Sequence, residues 1–370
     1  MNIKSLLLGS AAALAAVSGA QAADAIVAAE PEPMEYVRVC DAFGKGYFYI
    51  PGTETCLKIG GYVRFQVDFD DVDDVVAGAG GAVIDIDDDN WNARTRALIN
   101  VSAKSDTEYG ALSSYIALRS WAEGDYVGDG EGELNELEID EAYITLGGFK
   151  VGYAYNYWDI GLSGETDDLG SNRINQIGYE YTSETIKAGI FVDELTGHYT
   201  ENDFGAALGT TDGYGNDGVG IEAMVSGAFG PISASLLGGY DFAAEDGSIR
   251  GIVSGKIGTG TLSVAGIYST GANAYYDLAE WTVAAEYAVK LGDKFTITPA
   301  FQYWDSLDAD LSGDFGGDRN AWRAGVTLDY KIVEGLTSKV SLQYTDMDDD
   351  GDISDDEEVF SGFVRLQRTF

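Results

Sequence analysis

Histidine and cysteine are almost missing from this chain, with one His and two Cys in 370 residues. So few of either exclude zinc fingers, iron–sulfur clusters and most histidine-based catalysis. Basic residues are scarce as well, 22 Lys+Arg against 62 Asp+Glu, for a formal net charge of −40. A nucleic-acid partner is excluded on that balance, because phosphate neutralisation needs basic patches. Beyond the N-terminal segment no apolar run is long enough for a transmembrane helix. Present instead are 49 Gly, 23 Tyr and an apolar content of 45% with 12% aromatic, too much buryable surface for a disordered chain. Length alone allows two soluble domains or one large all-β barrel.

Residues 1–22 read as a secretory signal peptide. Lys4 gives the positive start, Leu6 to Val17 an apolar stretch too short to span a bilayer, and Ala20-Gln21-Ala22 a small-residue cleavage site. Export makes the cysteines interpretable. Cys40 and Cys56 stand at a short spacing that favours a disulfide in an oxidising compartment, the alternative being two free thiols. The expected organisation is a leader at 1–22, a periplasmic N-terminal segment at 23–57 and a transmembrane β-barrel at 58–370.

From Cys56 onward apolar and polar residues alternate with period two, the pattern of half-buried strands. Ile59, Gly61, Val63, Phe65, Val67 and Phe69 share one face, and Lys58, Tyr62, Arg64, Gln66 and Asp68 the other. Sixteen such segments occur, near 58–69, 91–104, 108–121, 134–147, 149–157, 175–182, 185–192, 220–229, 231–242, 248–257, 260–269, 278–290, 294–304, 319–331, 336–345 and 358–370. The segment 134–147 changes parity partway. Every second connection is a tight turn, as at Gly147-Gly148, Gly230-Pro231, Gly258-Thr259 and Glu334-Gly335. The others are mostly long and polar (70–90, 122–133, 158–174, 193–219, 305–318 and 346–357), with 243–247 and 270–277 shorter. A membrane barrel with short periplasmic turns and long outer loops explains that alternation, and closure removes edge strands.

The polar face carries Arg64, Arg94, Arg96, Arg119, Arg250 and Arg323. Six arginines cannot sit in a dry core without partners, so this face lines a wet lumen and the apolar face meets lipid. Trp91, Tyr109, Tyr153, Tyr179, Trp281, Trp304, Trp322 and Tyr330 suit interfacial girdles, or ordinary sheet packing. Gly251, Gly255 and Ala265 read as small residues on the outward face.

The stretch Cys40-Asp41-Ala42-Phe43-Gly44 through Cys56-Leu57-Lys58-Ile59-Gly60-Gly61-Tyr62-Val63-Arg64 resembles the N-terminal signature of the alphaproteobacterial general porins. The end of the chain, Val364-Arg365-Leu366-Gln367-Arg368-Thr369-Phe370, is similar to the terminal strand of outer-membrane barrels, with Phe370 as the aromatic read by barrel assembly machinery. The resemblance implies an outer-membrane, sixteen-stranded antiparallel barrel, a homotrimer, and passive diffusion of small hydrophilic solutes. It also implies a third loop folded inward as the constriction. Arg368 has lipid-facing parity and is placed at the interface, where it can snorkel.

Within that third connection Trp158, Ile160, Leu162 and Leu169 are odd for a loop bathed in water and make sense if it packs on the inner wall. Glu165, Asp167 and Asp168 would then face the lumen arginines across a transverse field. Otherwise they are solvated loop charges. Asp346, Asp348, Asp350, Asp352 and Glu357 match the spacing of a calcium loop, although strands flank it and chance matches are frequent in so acidic a stretch. No cofactor is required by this reading.

Three other readings stay open, one of them a structural or adhesive protein whose barrel would be plugged. A solute-selective, sugar-type channel would show an aromatic ladder; Tyr62 and Tyr115 have inward parity, but no continuous ladder follows. An outer-membrane enzyme would need its histidine, and His198 lies in a long loop with no nucleophile near it. The eight outer connections hold 39 of the 62 acids, one Arg (Arg173) and no Lys. That acidic face would meet divalent cations and lipopolysaccharide, and points to weak cation preference.

Overall fold

The computed structural model describes residues 38–70, 74–78, 82–86, 90–123, 137–196, 218–307, 309, 313–317, 319–348 and 357–370. At 74–78, 82–86, 90, 123 and 357 only the backbone path is described. The signal peptide expected at 1–22 lies outside these residues.

Sixteen long strands form the barrel. They are β1 (Cys56–Asp70), β2 (Asn90–Thr107), β3 (Gly110–Glu123), β4 (Glu138–Leu146), β5 (Phe149–Tyr155), β6 (Arg173–Thr182), β7 (Ile186–Glu194) and β8 (Val219–Phe229). Then follow β9 (Ile232–Asp241), β10 (Asp246–Ile257), β11 (Gly260–Ser269), β12 (Trp281–Leu291), β13 (Phe295–Asp305), β14 (Asn320–Val333), β15 (Leu336–Met347) and β16 (Glu357–Thr369). Each pairs antiparallel with the next, and β16 pairs with β1 from Ser361↔Asp70 to Thr369↔Tyr62. Closure leaves no edge strand, as a spanning sheet requires. A short hairpin, Asp74–Gly78 with Ala82–Ile86, stands between β1 and β2.

Turn chemistry fixes one end. Gly147, Gly230, Gly258, Gly292 and Gly335 all have positive φ in the tight turns, a conformation two-residue hairpins need and glycine adopts without strain. The chain's terminus joins this end, where Phe370 and Gly61 exchange backbone hydrogen bonds (3.1 and 3.3 Å). Arg368 donates there to the carbonyl of Gly335 at 3.2 Å.

Cys40 and Cys56 form a disulfide. The pair is buried with Tyr47, and Phe43 and Tyr49 pack against them. Tyr49 pairs with Cys56 in register, so the link straps the N-terminal segment to the start of β1. Chain-entropy reasoning gives a loop of this size about 3 kcal/mol.

The outward face of β1 exposes Ile59, Val63 and Phe65, while Gln66 on the opposite face is buried. Two outward assignments are corrected. Trp304 is fully buried inside the barrel, because it shares the parity of lumen-facing Gln302. Ala265 is likewise buried, packed inside beside Ala284.

The parity change near 134–147 has a physical cause. On β3, Ala117 pairs with Glu141 and Leu118 with Ile139, so Asp140 is an extra residue in a β-bulge. A bulge re-aims the side chains beyond it. Here it delivers the Asp140 carboxylate to the lumen.

Candidate functional site

The connection between β5 and β6 turns into the barrel. Asn156 caps the short 3-10 turn Tyr157–Asp159 by accepting from the Trp158 N–H at 3.0 Å. Trp158 and Leu169 are buried and Leu162 is half-buried against the same cluster, but Ile160 is 45% exposed and does not pack. The loop then crosses the inner wall from strand to strand. Glu222 on β8 accepts from the Tyr157 N–H at 3.2 Å. Arg250 on β10 donates to the carbonyls of Tyr157 (2.7 Å), Trp158 (2.8 Å) and Leu169 (2.8 Å), tying both limbs together. Glu286 on β12 accepts from the N–H groups of Ser163 (3.0 Å) and Gly164 (2.7 Å) and from the Ser163 hydroxyl (2.6 Å). Gln302 on β13 exchanges hydrogen bonds with the Asp168 backbone at 2.6 and 2.7 Å. Thr327 on β14 accepts from the Glu165 N–H at 2.9 Å.

A second segment, 270–280 between β11 and β12, also folds inward and was not expected from its length. Ala272, Asn273, Ala274, Tyr275, Tyr276, Leu278 and Ala279 are all buried. The Asn273 amide donates to Ser248, Ser269 and Gly271, and the Tyr275 hydroxyl donates to Asp193 at 2.8 Å. Burial and that carboxylate push the Tyr275 phenol far above its ordinary value. Tyr275 lies beside Trp158, with ring centroids 5.9 Å apart. The two inward segments therefore share one apolar cluster against the wall from β7 to β15.

The opposite wall carries the charge. Arg64, Arg94, Arg96 and Arg119 stand on β1 to β3, joined by Arg173 and Arg365 from β6 and β16. Arg94 pairs with Asp68 at 2.9 Å and lies over the Trp121 ring. Arg64 donates to Gln367 at 2.8 Å, and Arg365 to Gln66 at 2.6 Å. Asp140 is the hub, with Arg173 at 2.7 Å, Arg119 at 2.8 Å and Arg96 at 3.6 Å. Glu138 adds contacts to Arg119 and Arg173.

The nine side chains picked from sequence thus separate into groups. Arg64, Arg94, Arg96 and Arg119 come together on the open wall. Arg250 is 3% exposed and anchors the loop rather than standing free in the lumen. Arg323 stands on the loop-bearing wall over the Trp304 ring and donates to Thr345 at 3.0 Å. Glu165 is the loop carboxylate that reaches cations, Lys339 at 2.5 Å and Arg365 at 3.5 Å. Asp167 turns back and accepts from the Leu162 N–H at 3.0 Å, and burial raises its carboxyl above the usual range. The Asp159 carboxyl is also raised by burial, against the lowering pull of the Ser171 hydroxyl.

Asp140, Arg173, Arg365, Lys339 and Glu286 were missed. The parity break pointed to Asp140, and inward parity on the last strand to Arg365. For the calcium spacing, Asp346 and Asp348 are described, Asp348 accepting from Asn320. Asp350, Asp352 and the Glu357 side chain lie outside the described residues, as does His198.

A closed barrel with a lipid-compatible outer face, an arginine-lined wall and an inward loop defines an outer-membrane channel. The chain belongs to the Porin subfamily, which it matches over residues 24–363. It is 48% identical over 359 residues to outer membrane protein IIIA of Rhizobium leguminosarum bv. viciae, covering 95% of this chain and 92% of that one. To porin Omp2a of Brucella suis it is 38% identical over 396 residues, covering 100% of each. Among solved structures, the outer membrane channel DcaP of Acinetobacter baumannii superposes with a TM-score of 0.61 at 14% identity, over 87% of this chain and 99% of that one. A trimer form of OmpT of Vibrio cholerae gives 0.57 at 10% identity, over 86% and 100%. The protein is an outer-membrane porin.

Proposed function

We propose that solutes pass an eyelet between the inward loop, where Glu165 is the leading carboxylate, and the arginine wall of Arg64, Arg94, Arg96 and Arg119, extended by Arg173 and Arg365. Arg250 and Arg323 act from the loop-bearing side, Asp167 and Asp168 within the loop itself. A field across the eyelet orders water, orients dipolar solutes and excludes apolar ones. The traffic is passive diffusion of small hydrophilic solutes and ions. The carrying observation is the wall's charge pairing: Asp68, Glu138, Asp140 and Glu165 each touch an arginine, so four carboxylates offset most of the charge of the six arginines.

That offset at the eyelet leaves selectivity to the mouths. The acid-rich outer connections then favour cations weakly. A reversal potential of cation-selective sign in a KCl gradient across a planar bilayer is the expected result. An anion-selective sign overturns it.

The chain is read as a homotrimer; OmpT, in the same fold, has a trimer form. Chemical cross-linking of detergent-extracted protein should give a three-chain band, and a monomer band alone removes the reading. The leader at 1–22 directs export, supported by a family match that starts at residue 24. Phe370 serves barrel assembly, and lipopolysaccharide meets the acidic rim.

A further inference from the structure

Ten of the eleven lysines fall at or near one end of the barrel, the end of the tight turns, the eleventh being Lys4 in the leader. Lys58, Lys104, Lys150, Lys187, Lys256 and Lys290 each lie within four residues of that end of their strand. Register puts them on the lumen face. Lys104 pairs across to Ser113, Ser113 to Thr145 and Thr145 to Lys150, one continuous polar row. Lys290 continues through Thr296 and Asp329 to Lys339, whose ammonium reaches lumen-facing Glu165.

Pairing does not cancel this ring. Lys187 is bound to Glu180 at 2.8 Å and Lys339 to Glu165. Lys58 and Lys104 lie over the Tyr47 ring, at 5.9 and 5.7 Å from its centroid, and Lys150 over Tyr143 at 4.7 Å. Among the described residues none of these three, nor Lys256 or Lys290, has a carboxylate within ion-pair distance. On the lumen face of this zone four carboxylates, Asp106, Glu141, Glu180 and Asp329, stand against seven lysines (Lys58, Lys104, Lys150, Lys187, Lys256, Lys290 and Lys339); Lys45, Lys294 and Lys331 lie off that face among turn acids, Lys331 bound to Glu334 at 2.6 Å.

The other end is the reverse. Strand ends there carry Asp70, Glu123, Glu194, Asp241, Asp305 and Asp348. The outer connections hold no lysine at all. Apart from Arg368 at the turn end, the described barrel arginines occupy the middle and outer half, and Arg94, Arg96, Arg119, Arg173 and Arg365 pair there with acids, as the planar fork favours. Charge therefore changes sign along the pore axis, from acidic outer mouth through a largely offset eyelet to a lysine-lined inner mouth.

We propose that this axial separation makes the porin a rectifying pore, passing ionic current more readily when the outer side is positive. The sign follows from transport at the two mouths. With the outer side positive, cations enter from the acidic mouth and anions from the lysine ring, and both accumulate at the eyelet. With the field reversed, both are withdrawn and the eyelet is depleted. The transported class that gains is small inorganic and organic anions leaving the periplasm and cations entering it.

Single channels in a planar bilayer test this. Orientation is fixed by the chamber from which a membrane-impermeant maleimide alters the current of Glu245→Cys, at the outer β9–β10 turn. The current ratio at equal and opposite voltages should be roughly 1.5 to 3 in 0.1 M KCl and fall toward 1 in 1 M, as the Debye length shrinks from about 10 Å to about 3 Å. A ratio of 1 in 0.1 M KCl, or the opposite polarity, overturns the proposal. Lys58→Gln, Lys104→Gln, Lys256→Gln and Lys290→Gln together should bring the ratio toward 1 while an open channel persists. An unchanged ratio overturns the assignment to these lysines. If the fourfold variant does not insert, Lys290→Gln alone, at an exposed position without an ion pair, should lower the ratio in the same direction.

Discussion

Replacing Arg250 with alanine is expected to free the inward loop and widen the channel, raising single-channel conductance by roughly half in 1 M KCl, where pore dimension rather than surface charge sets the current. The guanidinium is the point at which both limbs of the loop are held, through Tyr157 and Trp158 on one side and Leu169 on the other. Hydrogen bonds made by a charged donor contribute about 1.5–3 kcal/mol each, and alanine leaves the acceptors unpaired in a buried site. Trp158, whose ring centroid lies 5.0 Å from the guanidinium carbon, loses its cover as well. Arg250→Lys should fail to restore the parent conductance, because one ammonium cannot span three carbonyls in fork geometry. Arg323→Ala is the contrasting case. It stands on the same wall, donates to Thr345 and lies over the Trp304 ring, and it should leave the open state near the parent's. Equal conductance in Arg250→Ala and the parent, with both inserted as open channels, removes the anchoring role.

Much of the barrel was legible because membrane strands obey two rules visible in sequence. Side chains alternate between lipid and lumen, and long and short connections alternate between the two sides. Both appear in the stretch from Lys58 to Phe370. Trp304 and Ala265 differ from expectation because residue type suggested the outer face while strand parity puts both inside. Trp304 was read as a girdle residue because tryptophan often serves at interfaces, yet its parity is that of Gln302 and it packs inside. Ala265 was misread in the same way. Asp140 was hidden by the bulge that gives it its position. For the eyelet, residue type located the arginines but not their task. Arg250 and Arg94 look alike in an alternating strand, and only the fold decides that one meets a loop and the other an acid. The segment 270–280 escaped because brevity says nothing about direction. Its apolar Ala272, Ala274, Tyr275 and Tyr276 carry the same hint that Trp158 and Leu169 gave for the third loop.

Glycine in strand interiors is the other signal, and it leads to the second large effect. Glycine weakens a strand unless another group needs the space. A Cβ on Gly239 would stand 2.6 Å from the Tyr275 ring, and one on Gly220 would stand 2.2 Å from its hydroxyl. On Gly189 it would overlap the Tyr157 hydroxyl. These inner-wall glycines are the seats of the aromatic side chains that hold the inward segments. Gly239→Val is therefore expected to destabilise the barrel by about 1–3 kcal/mol, the usual cost of overpacking, although valine is the better strand former. It should also raise conductance, because the displaced Tyr275 no longer backs Trp158. Gly251→Val, on the outward face of the adjacent strand with nothing within 4 Å of the added carbon, provides the matched control and should be neutral or stabilising. Tyr275→Ala alone should destabilise by about 3 kcal/mol or more, from the cavity left by a buried ring and the loss of the hydrogen bond to Asp193. Combined with Gly239→Val, the added methyls occupy part of that cavity. The double variant should then be less destabilised than the sum of the two singles, by about 1 kcal/mol or more, as residues sharing one space require. Urea unfolding in detergent, followed by tryptophan fluorescence, measures all four proteins. Strict additivity of the two changes would mean that Gly239 is not the seat of Tyr275.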